Sequence, residues 1–131
     1  MTTERALQWA AAGSHLALIA LLTAWVTWLA PPPEGLIAPV LLVAVAPLAA
    51  GVRGMLDARA YTFGWTSLLM TIYLVHATAM LGSPGTTRWL ALAELLLALI
   101  VFSTCVAANW LRRRARQAAQ RDDHGLVKGD Y

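Results

Sequence analysis

The chain has 131 residues, of which 59% are hydrophobic and 13% are charged, and this charged share is about half that of an ordinary soluble domain. Its apolar residues form four blocks separated by short polar segments, a pattern that excludes a soluble protein with one core and is typical of membrane spans. The net charge of +3 does not indicate nucleic-acid binding, because most basic residues lie in the C-terminal tail, where they suit a membrane flank.

The first apolar block, residues 7–29, contains no charged residue. As a helix it measures about 35 Å, enough to cross a hydrocarbon core of about 30 Å. A secretory signal has an apolar region of only about 7 to 15 residues and ends in small residues, whereas this block ends with Trp25, Trp28 and Leu29. We therefore predict a membrane span, which three consecutive prolines beginning at Pro31 bring to an end.

The second block, residues 36–52, is about 26 Å long as a helix, the short end of the range for a span. Pro47 lies inside it, removes one amide donor and frees the Val43 carbonyl, so we predict a kink. The proline has two interpretations, a tolerated kink or a broken helix that faces a cavity or a ligand, as in transporters. The sequence favours the kink, because prolines are common in membrane helices.

Two further spans follow, at residues 61–81 and 89–110. A Gly-Ser-Pro-Gly loop separates them, and tryptophans bracket the fourth as interfacial anchors would. We predict an all-α integral membrane protein, an antiparallel bundle of four transmembrane helices in a domain of residues 1–111. A basic tail, residues 112–131, is predicted to be disordered, since it lacks apolar periodicity.

The distribution of Arg and Lys predicts the orientation. With both termini in the cytoplasm, nine of the ten basic residues lie inside and only Arg88 lies outside, as the positive-inside rule requires. We therefore predict an N-in/C-in protein of the bacterial inner membrane. The basic tail from Arg112 to Arg121 is predicted to contact anionic lipid of that bilayer rather than nucleic acid.

Three ionisable residues lie within the predicted spans, where each costs about 2.5 to 3.5 kcal/mol at the membrane centre on insertion scales. His76 lies 15 residues after Tyr61 and Glu94 lies 16 residues before Trp110, which places them about 22 and 24 Å from the inner face. The two side chains therefore share one depth. His15 lies only about 12 Å from that face by the same rise, so no metal site with three ligands is predicted.

Glu94 belongs to a stripe of mostly small residues at helical spacing, formed by Ala91, Glu94, Ala98, Val101, Cys105 and Ala108. Small residues mark helix contacts in membranes, so we expect Glu94 to face the interior and to accept a hydrogen bond from His76 or Tyr73. One interpretation is a proton-handling or ligand-binding pair near the outer surface. The other, which the sequence favours, is a structural contact, since no further catalytic group accompanies the pair.

Two more residues in the spans, His15 and Cys105, carry side chains that can act as functional groups. His15 lies opposite a small-residue stripe that includes Ala10, Ser14 and Ala17, so its facing is ambiguous, and a neutral histidine bonded to a neighbour is favoured over a ligand. Cys105, the one cysteine, allows no intramolecular disulfide. It is predicted to be a small packing residue, because no base lies within a helical turn of it.

The segment between the second and third spans offers a candidate docking loop, formed by Arg53, Asp57, Arg59 and Trp65. A partner protein is one interpretation of this loop. The simpler one is that the basic residues hold the loop inside and that Arg53 pairs with Asp57, its i, i+4 neighbour if the helix continues.

The residues around this loop carry a family resemblance. They are Pro47-Leu48, Arg53-Gly54-Met55-Leu56, Arg59-Ala60-Tyr61-Thr62-Phe63-Gly64-Trp65, Tyr73, His76 and Leu92-Ala93-Glu94. Together they resemble the bacterial domain-of-unknown-function family 2069, predicted inner-membrane proteins of similar length. The family pattern often has a proline at the position of Ala60 and a glycine at that of Ala77. The resemblance implies a four-span inner-membrane protein and supplies no activity or functional residue.

Function follows less directly, since the sequence contains no phosphate-binding glycine loop, metal motif or catalytic triad signature. We predict a protein that is not an enzyme and has no cofactor, an accessory or assembly subunit that contacts another membrane protein. The alternative is a small transporter or ligand-binding protein that uses His76 and Glu94, as a homodimer. A cavity at this pair would favour the alternative, and a packed contact would count against it.

Overall fold

A computed structural model describes residues 2–57 and 59–128, with the side chain of Lys128 left out. This part of the chain forms helices α1 (Thr3–Ala24), α2 (Ile37–Leu56), α3 (Ala60–Met80) and α4 (Thr86–Lys128). Four helices are long and apolar enough to cross a membrane. The predicted all-helical fold with four candidate spans is therefore confirmed.

The first helix begins at a capped turn and ends in an unusual one. Thr2 accepts a hydrogen bond from the Arg5 amide at 3.4 Å, which satisfies one of the free donors of the first turn. After Ala24 the chain continues as a five-residue π-helix, Trp25–Leu29, and the Ala30 amide donates to the Trp25 carbonyl at 3.0 Å. This wider turn changes the direction in which Trp25 and its neighbours face.

The helices do not pack equally closely. α4 lies against α1 and α3, and α2 lies against α1 and, with fewer contacts, α3. The stripe predicted on α4 is the core of the bundle, since Ala91, Glu94, Ala98, Val101 and Cys105 are fully buried and Ala108 is 4% exposed. The looser side, between α2 and α3, contains a cavity of about 600 Å³.

The predicted loop between α2 and α3 is shorter in the structure than in the sequence prediction. α2 continues four residues beyond the expected end and α3 begins at Ala60, so most of residues 52–65 are helical. Gly54 permits this sharp connection, because a Cβ there would overlap the Thr62 side chain, at 2.9 Å from its Cβ and Cγ2 atoms. The Arg59 amide donates to the Gly54 carbonyl at 2.9 Å and closes the turn.

The fourth helix also differs from its prediction. The sequence predicted a disordered tail from residue 112, but α4 is helical through Lys128; residues 129–131 lie outside the described part. The tail is polar, and its arginine, alanine and glutamine residues are strong helix formers. It extends a helix that the membrane segment has already nucleated, so it does not bear the cost of nucleation.

Candidate functional site

The structure brings His76 and Glu94 together, as their common depth predicts. His76 Nδ1 lies 3.0 Å from Glu94 Oε1 and 3.1 Å from Oε2. The ring therefore donates a hydrogen bond from Nδ1 to the carboxylate. The two side chains differ in access, because that of Glu94 is 0% exposed and that of His76 is 48% exposed. The pair therefore has a closed side on α4 and an open side on α3.

Trp25 contacts the same histidine, and sequence reasoning did not place it there. The centroids of the Trp25 and His76 rings are 6.0 Å apart and the ring planes are inclined by 49°. Trp25 is the first residue of the π-helical turn, and such turns often lie at functional sites. The sequence shows a tryptophan near a helix end but contains no signal for the wider turn that brings the ring to His76.

Tyr73 has a different partner from the one expected. Its hydroxyl donates to the Ala44 carbonyl on α2 at 2.5 Å, so of the two expected donors to Glu94, His76 or Tyr73, the structure pairs His76 with the carboxylate. Tyr73 reaches the Ala44 carbonyl on α2, and His76, three residues later, reaches Glu94 on α4. The Tyr73 hydrogen bond joins α2 to α3 at a level where the two helices otherwise stand apart.

A cavity of about 600 Å³ lies between α2 and α3 and extends to the His76–Glu94 pair. Its walls come mainly from α2 and α3, with one residue each from α1 and α4. They are formed by Leu22, Pro39, Val40, Val43, Ala44, Pro47, Leu69, Ile72, Tyr73, His76 and Glu94. The walls are thus apolar except at one end, where a phenol, an imidazole and a carboxylate lie close together.

Pro47 lies on the wall of this cavity, where the sequence had favoured a simple kink over a cavity. Two carbonyls close to it on α2 accept hydrogen bonds from other helices. Ala44 accepts from Tyr73 on α3, and Leu48 accepts from His15 Nε2 on α1 at 2.6 Å. These two bonds support α2 around the point where proline interrupts its own hydrogen bonding.

His15 faces the interior, which resolves the ambiguity in the sequence. It is 1% exposed, and it belongs to the buried face of α1 rather than to the small-residue stripe through Ala10 and Ala17. That buried face consists of Ala11, Ala12, His15, Leu18 and Leu22. It lies beside Gly51 and away from the cavity wall. Its bond to Leu48 is the contact with a neighbour that the sequence favoured, and it acts as a link between two helices.

The four residues of the candidate docking loop do not form one loop surface. Arg53 lies in the last turn of α2, and Trp65 is half-buried within α3. The ion pair in this region joins Asp57 Oδ2 to Arg59 Nη2 at 3.6 Å, so the expected pair with Arg53 is wrong. Helix α2 ends at Leu56, and Asp57 is its C-cap, which turns the carboxylate toward the following residues.

The site therefore combines an apolar cavity with a few polar groups at one end, which is the usual composition of a small-molecule site. Cys105 takes no part in it, because the thiol is fully buried on α4, about 16 Å along the helix from Glu94. The arrangement can hold an apolar molecule and form a hydrogen bond to one polar group of it.

Comparison with known proteins identifies the family. Residues 10–113 match the model of a family described as a predicted membrane protein, DUF2069. The chain belongs to the DUF2069 family. The match includes all of the cavity walls and both intramembrane histidines, and it ends just after Trp110, so it omits most of the α4 extension. No curated protein and no solved structure matches the chain.

Proposed function

We propose that this DUF2069 protein binds an elongated apolar ligand in the cleft between α2 and α3 and is not an enzyme. One observation carries the proposal: the cavity of about 600 Å³ extends to the open side of the His76–Glu94 pair. A purely structural pair would be packed on all sides, as the contact of His15 with Leu48 is. The volume also falls within the roughly 300 to 1,000 Å³ that is typical of small-molecule sites.

The shape of the cleft supports a ligand with a long apolar body. On α2 the lining residues run from Pro39 to Pro47, and on α3 from Leu69 to His76, which corresponds to about 12 and 10 Å of helix. Aliphatic side chains and two prolines cover most of this length. The polar groups lie at one end, so the ligand has one polar group attached to a hydrocarbon body.

The chemistry of that polar group follows from the histidine. Since Nδ1 donates to Glu94, Nε2 on the other edge of the ring remains for the ligand. A neutral ring accepts a hydrogen bond there and a protonated ring donates one. A hydroxyl or amide on the ligand suits both states, because each can donate and accept.

The access route depends on orientation, and we propose an antiparallel bundle with both termini in the cytoplasm of a bacterium. Nine of the ten basic residues then lie on the inner side, and the His76–Glu94 pair lies about 22 to 24 Å from the inner face. The cleft opens between two membrane-facing helices in the outer half of the bilayer. A lipid-soluble ligand would enter it sideways from the bilayer rather than from water.

The test is to identify what the protein carries. The full-length protein is purified from its native membrane in mild uncharged detergent, and bound small molecules are detected by native mass spectrometry. Val43→Trp fills the cleft, because Val43 lies on its wall and is 74% exposed. Leu42→Trp is the matched control, since its neighbour Leu42 is 68% exposed and lies off the wall.

We expect an apolar small molecule on the original protein and on Leu42→Trp, and its loss from Val43→Trp. Equal amounts on both variants would place the molecule elsewhere on the surface and contradict the proposal. A protein that carries no small molecule after purification, with or without the substitutions, would contradict it as well.

A second function, that of an accessory or assembly subunit, has one observation in its favour. Beyond Leu111 the helix α4 extends about 25 Å, and near its end Leu126 and Val127 are 74% and 67% exposed. This end is available to another membrane protein or to a second copy of the chain. A stoichiometric protein partner that is lost on Leu126→Glu, and retained on Glu94→Gln, would support this function.

A further inference from the structure

A second cavity, at the opposite end of the bundle from the cleft, has the chemistry of an anion site. It measures about 270 Å³ and lies between the start of α3 and the part of α4 that follows the fourth span. Its walls are formed by Ala60, Tyr61, Gly64, Asn109, Arg112, Arg113 and Arg116. Three arginines and one asparagine therefore line a single small space.

The sequence spacing explains this cluster. The neighbouring Arg112 and Arg113 each lie three or four residues from both Asn109 and Arg116, so the four share one side of α4. Arg112 is held in place, because its guanidinium carbon lies 4.8 Å from the centre of the buried Phe63 ring on α3. Gly64 lies beside the amide on the facing helix, since a Cβ at this position would be in ordinary contact with Asn109 Nδ2, at 3.8 Å.

The charges around the cavity are unbalanced. Like charges three or four residues apart on a helix repel one another. Among residues 2–57 and 59–128, the ion pairs join Asp57 to Arg59 and Glu94 to His76, so no described carboxylate pairs with Arg112, Arg113 or Arg116. The start of α3 adds to the positive potential, because Arg59 at its N-cap position makes no side-chain cap. An anion in the cavity would offset this repulsion.

The depth of the cavity indicates which anion. Tyr61 on its wall is 83% exposed, and Trp110, next to Asn109, is 51% exposed. Tyrosine and tryptophan concentrate at the level of the lipid headgroups, so the cavity lies where lipid phosphates lie. Arginine forks match phosphate oxygens in pairs, and basic pockets between helices on the cytoplasmic side are typical binding sites for anionic headgroups.

We propose that this cavity binds the phosphate of an anionic phospholipid, with Arg113 and Arg116 as its main ligands and Arg112 and Asn109 beside them. The site is separate from the cleft between α2 and α3. The proposed site occupies one face of α4 at the membrane surface. Arg114 and Arg121 do not line the cavity and are therefore not among its ligands.

The test compares two double variants of the full-length protein that remove the same charge. Arg113→Gln with Arg116→Gln empties the proposed site, and Arg114→Gln with Arg121→Gln is the matched control. Both are titrated with phosphatidylglycerol in uncharged detergent micelles, and binding is measured by native mass spectrometry and by thermal stabilisation. Phosphatidylcholine and inorganic phosphate are titrated in parallel.

We expect the cavity variant to bind phosphatidylglycerol at least about tenfold more weakly and the control to change by less than about threefold, given roughly 1 kcal/mol for each basic residue near anionic lipid. Equal weakening in both variants would overturn the proposal in favour of general attraction to the tail. Equal binding of phosphatidylcholine, or of inorganic phosphate, would overturn the assignment to an anionic lipid. Val43→Trp leaves this binding unchanged, so failure of either site is distinguishable from failure of the other.

Discussion

The two intramembrane histidines of this protein occupy opposite kinds of surroundings. His15 is 1% exposed and donates from Nε2 to the Leu48 carbonyl at 2.6 Å, among residues that pack on all sides. The side chain of His76 is 48% exposed, binds Glu94 through Nδ1 and lies on the wall of a cavity. The first histidine joins two helices and keeps its other nitrogen, Nδ1, buried without a partner among the described protein atoms, whereas the second lies beside a space that a ligand can enter.

This difference teaches that the cost of a polar group in the membrane does not by itself reveal its role. Both histidines lie within spans, where a polar side chain is costly, and each has a hydrogen-bond partner on another helix. What separates them is the packing of α2, which lies close to α1 beside His15 and stands away from α3 beside His76. Access, rather than polarity, marks the candidate site.

The largest effect is expected at the closed histidine. His15→Ala removes a buried side chain and its bond to Leu48, and we expect it to lower the free energy of unfolding by about 2 to 4 kcal/mol. At the open histidine the comparison is His76→Gln, whose amide can still donate to the buried Glu94, and we expect it to cost only about 1 kcal/mol, since half of the His76 side chain is already exposed. Reversible unfolding in mixed micelles measures both. Equal losses would remove the distinction between the two sites.

Larger side chains should also affect stability differently beside His15 and beside His76. A Cβ at Gly51 would lie 3.5 Å from Thr66 Oγ1 and 3.7 Å from His15 Nε2, so Ala fits but the further methyl groups of Val do not. We expect Gly51→Val to lower the free energy of unfolding by about 1 to 3 kcal/mol.

The corresponding change beside His76 is Val43→Trp, which places its bulk in the cleft. We expect it to alter the free energy of unfolding by less than about 0.5 kcal/mol, as for a substitution away from tight packing. Thermal unfolding of both variants, with Gly51→Ala as the control, compares the regions directly. A large loss in Val43→Trp would show that the cleft is closed by packing in the membrane.

The parts of this comparison that the sequence could predict are those fixed by helical geometry. Counting residues from the span ends gave the common depth of His76 and Glu94, and the 3.6-residue period gave the inward face of Glu94. The facing of His15 was not predictable, because α1 has two competing stripes and the choice depends on which neighbour packs there. The π-helical turn at Trp25 and the separation of α2 from α3 depend on contacts among three helices.

The same limit applies to the docking loop and the tail. The loop residues were identified, but their grouping failed because α2 continued through Leu56 and brought Asp57 to Arg59. The tail was predicted to be disordered from its polar composition alone, whereas in the structure α4 continues through it to Lys128. In both places a helix already formed by membrane packing continues beyond the apolar residues that predicted it.

A smaller effect on stability, with a larger one on binding, is expected for Glu94→Gln. The amide oxygen of glutamine still accepts from His76 Nδ1, so we expect the free energy of unfolding to change by about 1 kcal/mol or less. The charge-assisted bond that orients His76 is lost, and such bonds are about twice as strong as neutral ones. The fraction of protein that carries a ligand in native mass spectra should therefore fall. Unchanged occupancy with unchanged stability would assign the pair a structural role alone.

The smallest effect on the free energy of unfolding, and the one expected to raise it, is that of a substitution beside His15. Among the described protein atoms, buried Thr66 Oγ1 has no hydrogen-bond partner, so Thr66→Val removes an unsatisfied hydroxyl and keeps nearly the same shape. We expect the free energy of unfolding to stay equal or to rise by up to about 1 kcal/mol. Thr78→Val is the control, because Thr78 is exposed and already donates to the Leu74 carbonyl at 2.7 Å. A clear loss of stability in Thr66→Val alone would reveal a polar partner beside His15, and the closed histidine would then have access of its own.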